Sequence, residues 1–293
     1  MNDNNSSLFN EDNSQENNSS SNVVNNQYNQ DAYSGTYGGL KKVNKYSFGQ
    51  MSMMSIAMLV AGLGFLLTGL IGFGFMELIK QSMMGNDTSS NIFYGFVSIT
   101  SIAGIVSLVM YFIWIFRIER ASLGFQISII IIYCLSNGIT FGGIFYFVNV
   151  PEIILAFGVV GLTLLITFII SKIISHKVAM AMGKMIMIIS LIYLVFLLVS
   201  IILSAFSILP SVYAYENNSV GQWIYAIVIG VSGFLSILFL TYNLYAIQNM
   251  DKFRDQMDPI VARNYAIYFG FIILINLIRI FYIVIQIIGR IRN

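Results

Sequence analysis

The chain has 293 residues, 57% hydrophobic and only 10% charged, with a mean hydropathy of +0.78. A soluble domain carries roughly a quarter charged residues, so a water-soluble globule is excluded. The formal net charge of +2 comes with no basic stripe and interleaved aromatics, which excludes a nucleic-acid partner.

Residues 1–45 are dominated by Asn, Ser, Gln and Tyr. Such a segment buries too little apolar area to offset its ordering entropy, which predicts a disordered tail. It lacks the basic start and apolar stretch of a signal peptide.

Residues 46–293 hold seven apolar runs, at 49–76, 91–116, 123–147, 151–173, 180–209, 221–247 and 264–289. Crossing a hydrocarbon core takes about 20 helical residues. The runs are too long and too evenly apolar for barrel strands. In lipid each backbone polar group must be paired within its segment, which leaves helices. The predicted fold is therefore all-α, a bundle of seven transmembrane helices with the lipid bilayer as its solvent. The charges agree, since they lie almost entirely in the tail and in the breaks between runs.

The first run carries Gly62, Gly64, Gly69, Gly72 and Gly74. The third carries Gly138 and Gly142 at small-xxx-small spacing, beside Asn137. Small residues let helix backbones touch, so these positions are expected to pack between helices. Pro151 opens the fourth run, where a helix tolerates it. Pro210 and Pro259 fall in breaks, so no span is interrupted. Trp114 and Trp223 stand near span ends, where amphipathic rings favour the membrane interface. Cys134 lies in an apolar run and reads as a small buried hydrophobe. His176 lies in a short basic loop, and one His with one Cys on separate segments makes no metal site.

Lys and Arg are unevenly shared between the two sides. Lys41, Lys42, Lys45, Arg117, Arg120, Lys172, Lys177, Lys184, Lys252, Arg254 and Arg263 fall on one side; Lys80, Arg290 and Arg292 fall on the other. The positive-inside rule then predicts a cytoplasmic N-terminus, and seven spans put the C-terminus outside.

No carboxylate lies in the middle of a run; the one ionisable side chain deep in a span is Arg279, within NLIRIF. A bare guanidinium there costs several kcal/mol. It is expected to face the bundle interior or a water-filled cavity, with the amides of Asn276, Asn243 and Asn137 as candidate partners. Asn276 and Arg279 are three residues apart, hence on one helix face. For the asparagines, hydrogen bonding between helices is at least as good an explanation as a ligand role. GxSxG, HExxH and a phosphate loop are all missing, so the chain is not expected to be an enzyme or to carry a cofactor.

Four segments resemble the Bax inhibitor-1 family. They are AGLGFLLTGLIGFG at 61–74, YCLSNGITFGGIF at 133–145, LTYNLYAIQNM at 240–250 and YFGFIILINLIRIFYIVIQIIGR at 268–290. Their order, with seven spans, extends the resemblance over about residues 45–293. It implies a seven-helix bundle in which the sixth and seventh spans enclose a cavity. In that family an aspartate on each of those spans shares a proton and gates a calcium leak, and an arginine near the end of the second span latches the closed form. By resemblance, the aspartates fall on Asn243 and Asn276 and the latch on Arg117. A seventh-span asparagine of the family falls on Arg279, and its second-span glutamate has no counterpart between residues 91 and 116.

Two amides carry no titratable proton, so the paired-carboxylate pH sensor is expected to be missing. A fixed positive charge one turn away repels Ca²⁺. The resemblance thus implies a leak channel for an inorganic ion, or a membrane stress and quality-control factor, in a bacterial cytoplasmic membrane. Asn243, Asn276, Arg279 and Arg117 are its pore or gate candidates. Two other readings are a secondary transporter and a non-transporting protein that binds membrane partners such as a protease. Transporters often show repeats and broken helices, and neither is evident here.

Overall fold

A computed structural model describes residues 51–83, 89–117, 121–205 and 219–292. The expected disorder of residues 1–45 concerns a segment outside them. The described residues form seven long α-helices and one 3-10 turn, with no strand among them. The helices are α1 (Met53–Met83), α2 (Ser89–Arg117), α3 (Leu123–Phe145), α4 (Val150–Ile173), α5 (His176–Ala205), α6 (Ser219–Asp251) and α7 (Pro259–Arg292). Each is long and apolar enough to cross a membrane. The chain is a multi-pass integral membrane protein.

Several helices outrun the apolar windows. α1 continues past 76 through Glu77 and Lys80, which pair at 3.1 Å one turn apart. α5 begins at His176, so this histidine opens a helix rather than sitting in a loop. α7 begins at Pro259, where Asp258 Oδ1 accepts the Ile260 N–H at 2.7 Å. At α4, the Glu152 carboxylate accepts from both the backbone N–H and the side-chain amide of Asn149, and Pro151 occupies the first turn. Hydropathy marks depth in lipid, whereas capping groups set where a helix stops.

α7 is the centre. It packs against α1, α3, α4 and α6, while α2 rests on α3 and α5 rests on α6. Phe281 shows why. Its ring lies 4.6 Å from Phe141 and 5.8 Å from Phe145 on α3, 5.9 Å from Phe65 on α1 and 4.6 Å from Phe157 on α4. Lipid tails are as apolar as these rings, so packing rather than water exclusion selects the arrangement.

α1, α3 and α7 run in one direction, and glycines bring their backbones together. A Cβ added at Gly138 would stand 2.6 Å from Ile71 Cβ and 3.0 Å from the Thr68 carbonyl oxygen. At Gly142 it would stand 2.7 Å from Phe75 Cβ and 2.9 Å from the Gly72 carbonyl oxygen. At Gly270 on α7 it would meet the Ala57 carbonyl oxygen at 2.8 Å. Gly62 and Gly74 differ from the expectation, because nothing lies within 4 Å of a Cβ built there. Buried Cys134 donates its thiol to the Gly64 carbonyl at 3.4 Å across the same α1–α3 seam.

Trp114 is not an interfacial anchor facing outward. It is 3% exposed, with its ring 4.5 Å from Phe271 of α7. Trp223 lies on α6, and its side chain is outside those described.

Candidate functional site

Arg279 stands ten residues before Gly289, the last residue of the apolar part of α7. At 1.5 Å per residue that is about 15 Å, half the thickness of a hydrocarbon core. Arg279 does not face the bundle interior and is not paired with the amides: it is exposed, and it makes no hydrogen bond or ion pair among the described residues.

The three amides are occupied elsewhere. Asn137 Nδ2 donates to the Tyr133 carbonyl at 2.9 Å, Asn243 Nδ2 to the Phe239 carbonyl at 2.7 Å, and Asn276 Nδ2 to the Ile272 carbonyl at 2.9 Å. Each bond runs four residues back along its own helix, so these amides do not tie helices together through their N–H groups. All three side chains are buried. Asn276 and its near neighbour Arg279 therefore occupy different environments despite their spacing.

The two positions that the resemblance would pair lie at similar depth. Gly233 of α6 faces Ile283 of the antiparallel α7, so Asn243 stands level with about residue 273, roughly 5 Å from Asn276 along the bundle axis. Arg117 is the last residue of α2, and its side chain is outside those described.

The surroundings of Arg279 form a groove. Phe271 contacts Tyr133, Tyr282 contacts Phe141, and Ile283 faces Gly233 of α6. At about 100° per residue, these contacts bound a sector of α7 between α3 and α6. That sector holds Ile272 and Ile275, half-buried, and Arg279 and Gln286, exposed. Every other face of α7 at this depth is packed: Ile273, Leu274, Leu277, Ile278, Ile280 and Phe281 are all buried.

Comparison with family models, with curated protein sequences and with solved structures finds no match to this chain.

A helical side chain leans toward the helix N-terminus. The guanidinium thus hangs toward Tyr133 of α3, close enough for its charge to act on that hydroxyl. Tyr111 of α2 lies near Tyr133 and Tyr268. On the other side of Arg279, Tyr282 reaches toward the Thr140 hydroxyl. Sequence reading missed these tyrosines because each lies in an apolar run where an aromatic ring passes for core. The available signal on α7 was spacing: Tyr265, Tyr268, Arg279, Tyr282 and Gln286 are separated by 3, 11, 3 and 4 residues, steps close to whole turns that keep one helix face. Among the described residues no three His, Cys, Asp or Glu side chains come together.

Chemically, the groove offers one permanent cation, phenol hydroxyls and an amide. Such a set suits the binding of an anion.

Proposed function

We propose that this chain is a non-enzymatic, Bax inhibitor-1-like protein of a cytoplasmic membrane that provides a leak path for small anions past Arg279. The observation that carries this reading is the exposed, unbonded guanidinium of Arg279 at mid-span. An uncompensated charge at that depth costs several kcal/mol. Water and a passing anion offset part of that cost, and lipid tails offset none.

The four resembling segments, in order and with seven helices, support the family assignment. The Lys/Arg asymmetry supports a cytoplasmic N-terminus and an external C-terminus. The asparagines at 243 and 276 support the loss of a proton-gated calcium leak, since neither titrates. The fixed charge of Arg279 favours anions over Ca²⁺. The polar tail would serve as a handle for membrane partners such as a protease.

The test is chloride efflux from vesicles holding the purified full chain. The wild type releases chloride faster than protein-free vesicles and passes no Ca²⁺ with a midpoint near neutral pH. Arg279→Gln abolishes the chloride efflux. Efflux unchanged by that substitution removes Arg279 from the path and rejects the reading.

A further inference from the structure

The anion-accepting groove of α7 opens sideways. It is bounded by α3 on one side and α6 on the other; Arg279 and Gln286 face outward from the bundle, Tyr268 and Tyr282 are half-buried, and Tyr133 forms a buried part of the α3 wall. In a membrane, outward means lipid. A path through the bundle centre is closed by Phe281 and the rings around it.

Along this lateral groove the polar groups come at successive depths. Along α7 the order is Tyr268, Arg279, Tyr282 and Gln286, with Tyr133 of α3 level with Phe271, between Tyr268 and Arg279. Tyr111 is 37% exposed, and Arg279 and Gln286 are exposed. Between these steps the floor is aliphatic, with Ile272 and Ile275 half-buried. A groove with polar steps on its floor and hydrocarbon at its mouth matches one kind of molecule, an amphiphile with a small charged head and a greasy tail. The single cation, with no carboxylate beside it, selects a head of one negative charge. Guanidinium matches a phosphate's oxygens in a bidentate fork, and phenol hydroxyls add donors on either side.

We infer that the groove passes the phosphate head of a monoanionic phospholipid between leaflets while its acyl tails remain in the bilayer. The inference rests on Arg279 being the anion-accepting group. It adds the identity of the anion's carrier and the side-on route. No bond is made or broken. The head exchanges water for the tyrosine hydroxyls, then for Arg279, and then for Tyr282 and Gln286.

The experiment uses the full chain in phosphatidylcholine vesicles with a trace of phosphatidylglycerol tagged on an acyl chain. Dithionite added outside bleaches only the outer leaflet. Protein-free vesicles stop at about half of the signal, and the wild type is expected to carry bleaching well past that point. Phosphatidylcholine with the same tag should cross more slowly, a comparison that needs no variant. Arg279→Gln should slow phosphatidylglycerol by about tenfold, as expected on losing one charge-assisted contact, while Arg279→Lys retains most of the rate. Bleaching that halts at half with the wild type overturns the inference. So does equal movement of the two lipids, or an undiminished rate in Arg279→Gln.

Chloride efflux measured on the same vesicles separates the two ideas. Chloride efflux without lipid movement rejects the lipid route and leaves the leak. Lipid movement without chloride efflux rejects the leak and supports the lipid route.

Discussion

Asp251, the last residue of α6, accepts the backbone N–H of Met53 on its Oδ1 at 2.8 Å, across 198 residues of sequence. It thus caps the start of α1 from another helix. The N-terminus of a helix carries partial positive charge and unpaired donors, so a carboxylate there is stabilising. Removing it with Asp251→Ala should cost about 1 kcal/mol. Asp251→Asn, which keeps an acceptor, should cost less. Thermal unfolding in detergent checks the order of the three proteins, and equal midpoints would show that the cap is not needed.

The α1–α3 seam should tolerate no bulk. Gly138→Leu or Gly142→Leu puts a branched side chain where a Cβ alone already meets backbone oxygen at 3.0 and 2.9 Å. Overpacking of this kind typically costs 1–3 kcal/mol, about the range expected here. Gly62→Ala and Gly74→Ala, with open space around them, should be neutral or slightly stabilising through better helix propensity. The four variants, compared by unfolding and by size-exclusion profile, separate packing glycines from incidental ones.

Cys134 should report unfolding. It is fully buried and its thiol is held on the Gly64 carbonyl. A maleimide should fail to label the folded protein in mild detergent and should label fully once a denaturing detergent or heat opens the α1–α3 seam. Rapid labelling of the native protein would mean that the seam opens on its own.

Gln248 of α6 donates to Ser171 Oγ of α4 at 2.9 Å. Such bonds between membrane helices are modest. A double-mutant cycle with Ser171→Ala and Gln248→Leu should give a coupling of about 0.6 kcal/mol. A coupling near zero would mean that both groups are satisfied equally well when apart.

Arg279 should trade stability for function. Arg279→Leu removes an unpaired charge from mid-span, so its unfolding midpoint should rise by the equivalent of about 1 kcal/mol or more. The same variant should lose anion movement. A lower midpoint would show a structural partner for the guanidinium.

Residence in a bilayer as seven helices follows from the order of residues alone, because lipid leaves the backbone no other way to pair and confines charge to helix ends. The same order singled out Arg279, since one arginine among Ile and Leu cannot be mistaken. Helix ends were less legible: Glu77, Lys80, His176 and Asp251 are too polar for hydropathy to include, yet each belongs to a helix. Which way each side chain looks is visible only in the packed fold. The fold put Arg279 in a lateral groove, turned Trp114 inward, and tied the amides of Asn137, Asn243 and Asn276 to their own helices. An apolar helix in lipid lacks the polar–apolar asymmetry that reveals facing in water. Its rotation is set by the shape of its neighbours, and that shape exists only once α7 has been packed among α1, α3, α4 and α6.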